Sequence, residues 1–164
     1  MIDISEALNN KCDGSEQFHI LTKEIASDIS SKLKCYHTTE TWGNYSYSNK
    51  ITLYFNNNQP CVSKTDVFNR MLYILLSAKG PFFTLLHYLC KNSQSQKKVW
   101  EFATIDDLPI EILESMEIIT LILNKRHLHF LNDKQLLEQE ALGHFTELDS
   151  VPATVFEVLF GEVI

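Results

Sequence analysis

The sequence predicts an α+β fold: one domain over residues 1–164, with an antiparallel sheet or meander packed by three to four helices. Three observations lead there. Apolar residues recur at helical spacing over 16–33, switch to strand alternation over 35–65, and return to helix signals after Pro109 and near the C-terminus. A chain of 164 residues suits a single core, and 45% hydrophobic residues with 11% aromatics supply the material to fill it.

Residues 1–12 are expected to be a flexible lead-in. Asp13-Gly14-Ser15 then opens a helix, because Asp13 or Ser15 can accept from the unpaired amides of its first turn. Phe18, Leu21, Ile25, Ile29 and Leu33 follow every three or four residues and form one apolar face, with Lys23, Glu24, Asp28 and Lys32 turned towards water. From Cys35 to Trp42 the residues are β-formers, and Gly43-Asn44 offers a turn. Tyr45, Tyr47, Ile51, Leu53 and Phe55 alternate with polar residues until the tract Asn56–Pro60.

Residues 66–78 stay open between helix and strand, with strand preferred, since Met71–Leu76 is an unbroken apolar run that periodicity cannot assign. Phe82–Cys90 reads as a strand, Asn92–Lys98 as a polar hairpin loop, and Val99–Ala103 as a strand. Asp106 and Asp107 before Leu108-Pro109 mark a helix entrance, with carboxylates at the positive end of its dipole. That helix runs to about Asn124, although its tail from Ile118 also fits a strand. A short exposed helix is expected from Asp133 to Ala141, stopping at Gly143, and a last one after Ser150 with Pro152 in its first turn.

Charge is divided along the chain. Residues 1–100 carry eleven Lys or Arg against eight Asp or Glu, whereas residues 101–164 carry three against thirteen, within a net charge of −7. Such a balance disfavours nucleic acid, whose phosphates need clustered cations, and suits a basic partner. No basic segment leading an apolar run opens the chain, and no apolar run approaches the ~20 residues a bilayer requires, so a cytoplasmic location away from membranes is expected. Cys12, Cys35, Cys61 and Cys90 contain no Cys-x-x-Cys pair and read as reduced thiols, not as a disulfide framework or zinc site.

Little else in the sequence names a reaction. Glycine-rich phosphate loops and the Gly-x-Ser-x-Gly elbow are absent from it, and no cofactor is expected. His127 and His129 would share one face if their segment were extended, and with Asp133 or Glu138 they could hold a metal for a small hydrolase. His37 stands two residues from Cys35, but a reactive thiol also needs an electropositive, exposed setting. Glu111, Glu114 and Glu117 recur every three residues, the spacing of a solvated helix stripe. Trp42, Tyr45, Tyr47 and Tyr54 suit an interface as well as a sheet.

The preferred reading is a small acidic protein-binding module whose contact residues are Asp106, Asp107, Glu111, Glu114, Glu117, Glu138 and Glu140. In type, though through no motif, the chain resembles a bacterial toxin-neutralising immunity protein, which implies a basic, nuclease-like partner bound and blocked by charge complementarity. The metal-dependent hydrolase and a structural subunit of a larger assembly are the alternatives.

Overall fold

The computed structural model describes residues 3–62, 70–89, 101–102 and 108–162. They form an α+β domain built as three layers, with one central sheet covered on both faces. Its strands are β1 (His37–Glu40), β2 (Ser48–Asn56), β3 (Gln59–Pro60), β4 (Arg70–Ser77), β5 (Phe82–Leu89), β6 (Glu101–Phe102) and β7 (His129–Phe130). The order is β1-β2-β4-β5-β6, with β3 on β2 and β7 on β5; every pairing is antiparallel except β5 with β7.

Register sorts the apolar side chains between two cores. Ile51 lies opposite Ile74 and Leu53 opposite Leu72, while Ile74 also meets Leu85 and Leu76 meets Phe83. All of these face helices α2 (Glu16–Leu33) and α3 (Ile110–Lys125), whose Ile25, Ile29, Ile112, Met116, Ile119 and Leu123 are buried against them. Tyr73, Leu75, Phe82 and Leu86 point the other way. There they pack under α1 (Ile4–Asn9), α4 (Lys134–Leu137), α5 (Val155–Phe160) and a separate hairpin of β8 (Glu140–Phe145) and β9 (Pro152–Thr154). Coverage on both faces explains the unbroken apolar run of β4, where Leu72 to Ser77 are buried on both sides of the sheet.

Local chemistry sets the helix limits. Ser15 Oγ accepts from Phe18 N–H at 3.3 Å to start α2, and Lys34 ends it in the left-handed region at φ 51°. α3 starts behind Pro109, and its tail is helical throughout, not strand. It stops in a Schellman motif: Leu128 N–H donates to Leu123 O and His127 N–H to Asn124 O, with His127 left-handed at φ 60°. Leu123 and Leu128 both join the core, which locks the stop in place.

Within the lead-in the chain forms α1, capped by Asp3 and with Ala7 buried. Two helix expectations require correction. The helix expected over 133–141 covers only 134–137, because Asp133 caps a single turn and the chain then extends into β8, through Gly143. Pro152 opens β9 and not a helix; α5 starts after Thr154, which accepts from Glu157 N–H while the Glu157 carboxylate accepts from Thr154 N–H. The polar loop expected at 92–98 lies outside the described residues, as do Asp106, Asp107 and Cys90.

Buried polar groups hold the layers in register. Asn49 is fully buried in β2, where its Oδ1 accepts from Trp42 N–H at 3.0 Å and its Nδ2 donates to Thr22 Oγ1 at 2.7 Å, tying sheet to α2. On the other face Ser48 Oγ donates to Phe160 O and Ser77 Oγ to Leu159 O, fixing the end of α5. His87 in β5 has a measurable consequence. Burial, and then the Arg70 guanidinium, push it down to about 4. Above the unfolded value near 6.5 both states are neutral and stability is unaffected; as pH falls from there towards 4 the unfolded chain binds the proton first, so stability drops. Because the side chain keeps some solvent contact, a loss of about 1 kcal/mol is expected, well under the full shift. The fall in Tm between about pH 7 and about pH 5 should therefore be smaller in His87→Gln than in the native chain. Equal falls would assign the acid sensitivity elsewhere.

Candidate protein-binding surface

The acidic residues singled out in the sequence divide between two layers. Glu111, Glu114 and Glu117 lie on α3, half-buried at 111 and exposed at 114 and 117. Glu138 ends α4 and Glu140 begins β8, both exposed and both on the opposite side of the sheet. The fold thus brings Glu138 and Glu140 together but sets them apart from the α3 stripe. Glu138 takes Lys134 Nζ at 3.8 Å, the weak surface pairing of successive helix turns. Nearby, Arg126 after α3 is engaged by Glu24 and Asp28 of α2, which removes it as a free cation beside the stripe.

The side of the sheet that carries α4, α5 and the β8–β9 hairpin has a more pronounced character. After Lys134 the chain has no lysine or arginine, while Glu138, Glu140, Glu147, Asp149, Glu157 and Glu162 fall in this stretch. The hairpin also exposes large apolar side chains: Leu142 at 86%, Phe145 at 65%, Val151 at 50% and Leu148 at 48%. None of these four stands out in the sequence: Leu142, Phe145 and Leu148 fall between the short exposed helix expected over 133–141 and the one expected after Ser150, in a stretch given no element. The missed signal was Thr154-Val155-Phe156-Glu157, a capping box that places the helix start after Pro152 and leaves 140–154 free to form a hairpin.

This hairpin is fixed to the body. The Glu162 carboxylate accepts from Glu147 N–H at 2.6 Å and Leu148 N–H at 3.0 Å, and Glu162 N–H donates to Tyr45 O at 2.7 Å. Within the turn, Thr146 N–H donates to Val151 O at 2.8 Å. Between hairpin and sheet runs a cleft of about 340 Å³, bordered by Phe145, His144 and Glu147 on one side and by Cys12, Tyr47 and Lys79 on the other. Burial, with Glu147 as hydrogen-bond partner and as charge, raises Tyr47 well above the usual phenol value, so it is a neutral group at the cleft wall. Lys79 lies 5.7 Å over the Tyr47 ring.

The other candidates have different settings. His127 is held left-handed by the helix stop and His129 enters β7, so the Arg126–His129 segment is not extended and the two imidazoles do not share a strand face. Among the described residues no group of three His, Cys, Asp or Glu is placed to hold a metal ion. Cys35 is buried, and burial pushes its thiol up to about 11, the reverse of an activated nucleophile; burial likewise raises Cys12. Trp42 is tied down through Nε1, which donates to Asp13 O at 2.7 Å, and Tyr45 is exposed beside the hairpin anchor. Among the described residues no helix is long and apolar enough to cross a membrane. Comparison with protein-family models, with curated proteins and with solved structures finds no significant match to this chain.

Proposed function

We propose that this protein is a cytoplasmic binding module that docks on a basic protein and blocks it, in the manner of a bacterial toxin-neutralising immunity protein. The observation that carries the reading is the acidic excess of the chain after Lys134, where Glu138, Glu140, Glu147 and Asp149 are exposed and outnumber Lys11 and Lys79, the two lysines at the neighbouring cleft. A field of one sign over a rigid element accelerates encounter with a partner of the opposite sign and disfavours acidic competitors. The α3 stripe of Glu114 and Glu117 adds to the long-range field from the far side of the sheet.

Capture from lysate of the source cell at low and high salt, with the tagged chain as bait, tests the reading. A stoichiometric basic protein released as salt rises is the expected result. With that protein in hand, Glu140→Lys combined with Asp149→Lys should slow association at least about tenfold and flatten its salt dependence. Reversal of Glu114 and Glu117 should have the smaller effect. Capture of acidic proteins only, or unchanged association in both variants, would sink the proposal.

A further inference from the structure

We infer that the β8–β9 hairpin is the element inserted into the partner, and that the partner presents an apolar socket rimmed by lysine and arginine. This rests on the basic-partner reading and adds the chemistry of the contact itself. Leu142, Phe145, Leu148 and Val151 are between 48% and 86% exposed within one hairpin. Single exposed apolar residues are ordinary on any surface, but four large ones on one short element are not. α3 also exposes Ile110, Ile118 and Leu121, but these are spread along a 16-residue helix that ends in the exposed Lys125, whereas the hairpin's apolar residues fall between 142 and 151.

Rigidity favours the hairpin as well. The Glu162 carboxylate, fixed on Glu147 N–H and Leu148 N–H, and the Thr146–Val151 hydrogen bond hold the turn before any partner arrives, so little ordering entropy is lost on docking. Phe145 borders the cleft against Tyr47 and Cys12, which gives the surface an aromatic anchor beside a hollow, the arrangement in which interface energy concentrates.

Charge decides the occupant. Two copies meeting through this hairpin would bring Glu138, Glu140, Glu147 and Asp149 against the same residues, an acidic excess that Lys11 and Lys79 at the cleft and Lys134 beside Glu138 offset only in part. An anionic bilayer would be repelled in the same way. A basic surface with an apolar centre satisfies both features, with buried Leu and Phe giving slow dissociation and the carboxylate rim giving fast association.

The test titrates the full-length, isotope-labelled chain with three synthetic peptides of equal length, made of leucine and lysine, serine and lysine, or leucine and glutamate. The leucine–lysine peptide is expected to shift amide resonances across 140–151 and to bind at least about tenfold tighter than the serine–lysine peptide. The double variant Leu142→Ser, Phe145→Ser should lose that margin while keeping its near-ultraviolet circular dichroism, since both side chains are exposed. Equal binding of the two lysine peptides overturns the apolar socket and leaves the basic-partner reading standing. Shifts centred on 110–121, tight binding of the leucine–glutamate peptide, or no binding of either lysine peptide also overturn the inference. Sedimentation of the native chain as a dimer that the double variant abolishes would assign the hairpin to a second copy instead.

Discussion

Gly161→Ala should destabilise the protein by about 3–5 kcal/mol, read as a shift of the urea midpoint with an unchanged slope. Gly161 sits at φ 126° and ψ 160°, a backbone region essentially closed to residues with a Cβ. A methyl there would lie 2.7 Å from Ser46 Cα, 2.8 Å from Tyr45 O and 2.9 Å from Tyr47 N, all backbone atoms that cannot rotate aside. The same junction carries Tyr47 N–H to Phe160 O and Glu162 N–H to Tyr45 O, so relief of the clash breaks hydrogen bonds that attach the C-terminus to the sheet. Because Glu162 in turn holds the turn of the hairpin, the substitution should also loosen 146–151. Gly143→Ala is the control: φ is 84° but nothing lies within 4 Å of the added methyl, so about 1 kcal/mol is expected. Equal losses at the two positions would show that conformation alone, and not the close approach at Gly161, sets the effect.

How much of this architecture can be read from the residues depends on how local each cause is. The amphipathic period of Phe18, Ile25 and Ile29, with Ser15 before it, describes α2 without reference to anything distant. β2 and β5 follow from β-formers between turn residues. Met71–Leu76 could not be settled that way, since the absence of alternation arises from α2 and α3 on one face and α5 with the hairpin on the other. The α3 stop is a different case. His127 occupies a left-handed position usually taken by glycine, and nothing in Asn124–Leu128 announces it, because the Schellman bonds are completed by the burial of Leu123 and Leu128.

The candidate surface was half legible for the same reason. Net charge is a property of composition, so the acidic C-terminal portion could be recognised directly. Its division into two layers could not, because it depends on the chain passing from α3 through β7 to the opposite face of the sheet. The exposure of Leu142 and Phe145 is equally non-local. Both lie beyond the helix expected over 133–141, and no local pattern announces β8, one strand of a two-stranded sheet that leaves them exposed among the described residues. Glu162, the residue that fixes the hairpin, gave no signal in the sequence, because its partners are two backbone amides 14 and 15 residues away.

Two phenylalanines separate what the core requires from what the surface offers. Phe83 is fully buried in β5, opposite Leu76 of β4, and stacks on Phe130 of β7 with ring centroids 4.9 Å apart and planes 8° from parallel. Phe83→Ala removes a side chain surrounded on all sides and leaves a cavity that the two cross-strand neighbours cannot close without breaking register. A loss of about 3–5 kcal/mol is expected, lowering Tm by on the order of 10 °C. Phe145→Ala removes the same atoms from a position 65% exposed, and stability should change by no more than about 0.5 kcal/mol. Thermal melts of both variants give the first comparison, and titration with the leucine–lysine peptide gives the second, where the order should reverse: near-native affinity for the fraction of Phe83→Ala still folded, and weakened binding for Phe145→Ala. A large stability loss in Phe145→Ala would mean that its ring belongs to the packing of the hairpin, and the docking surface would then reduce to Leu142, Leu148 and Val151.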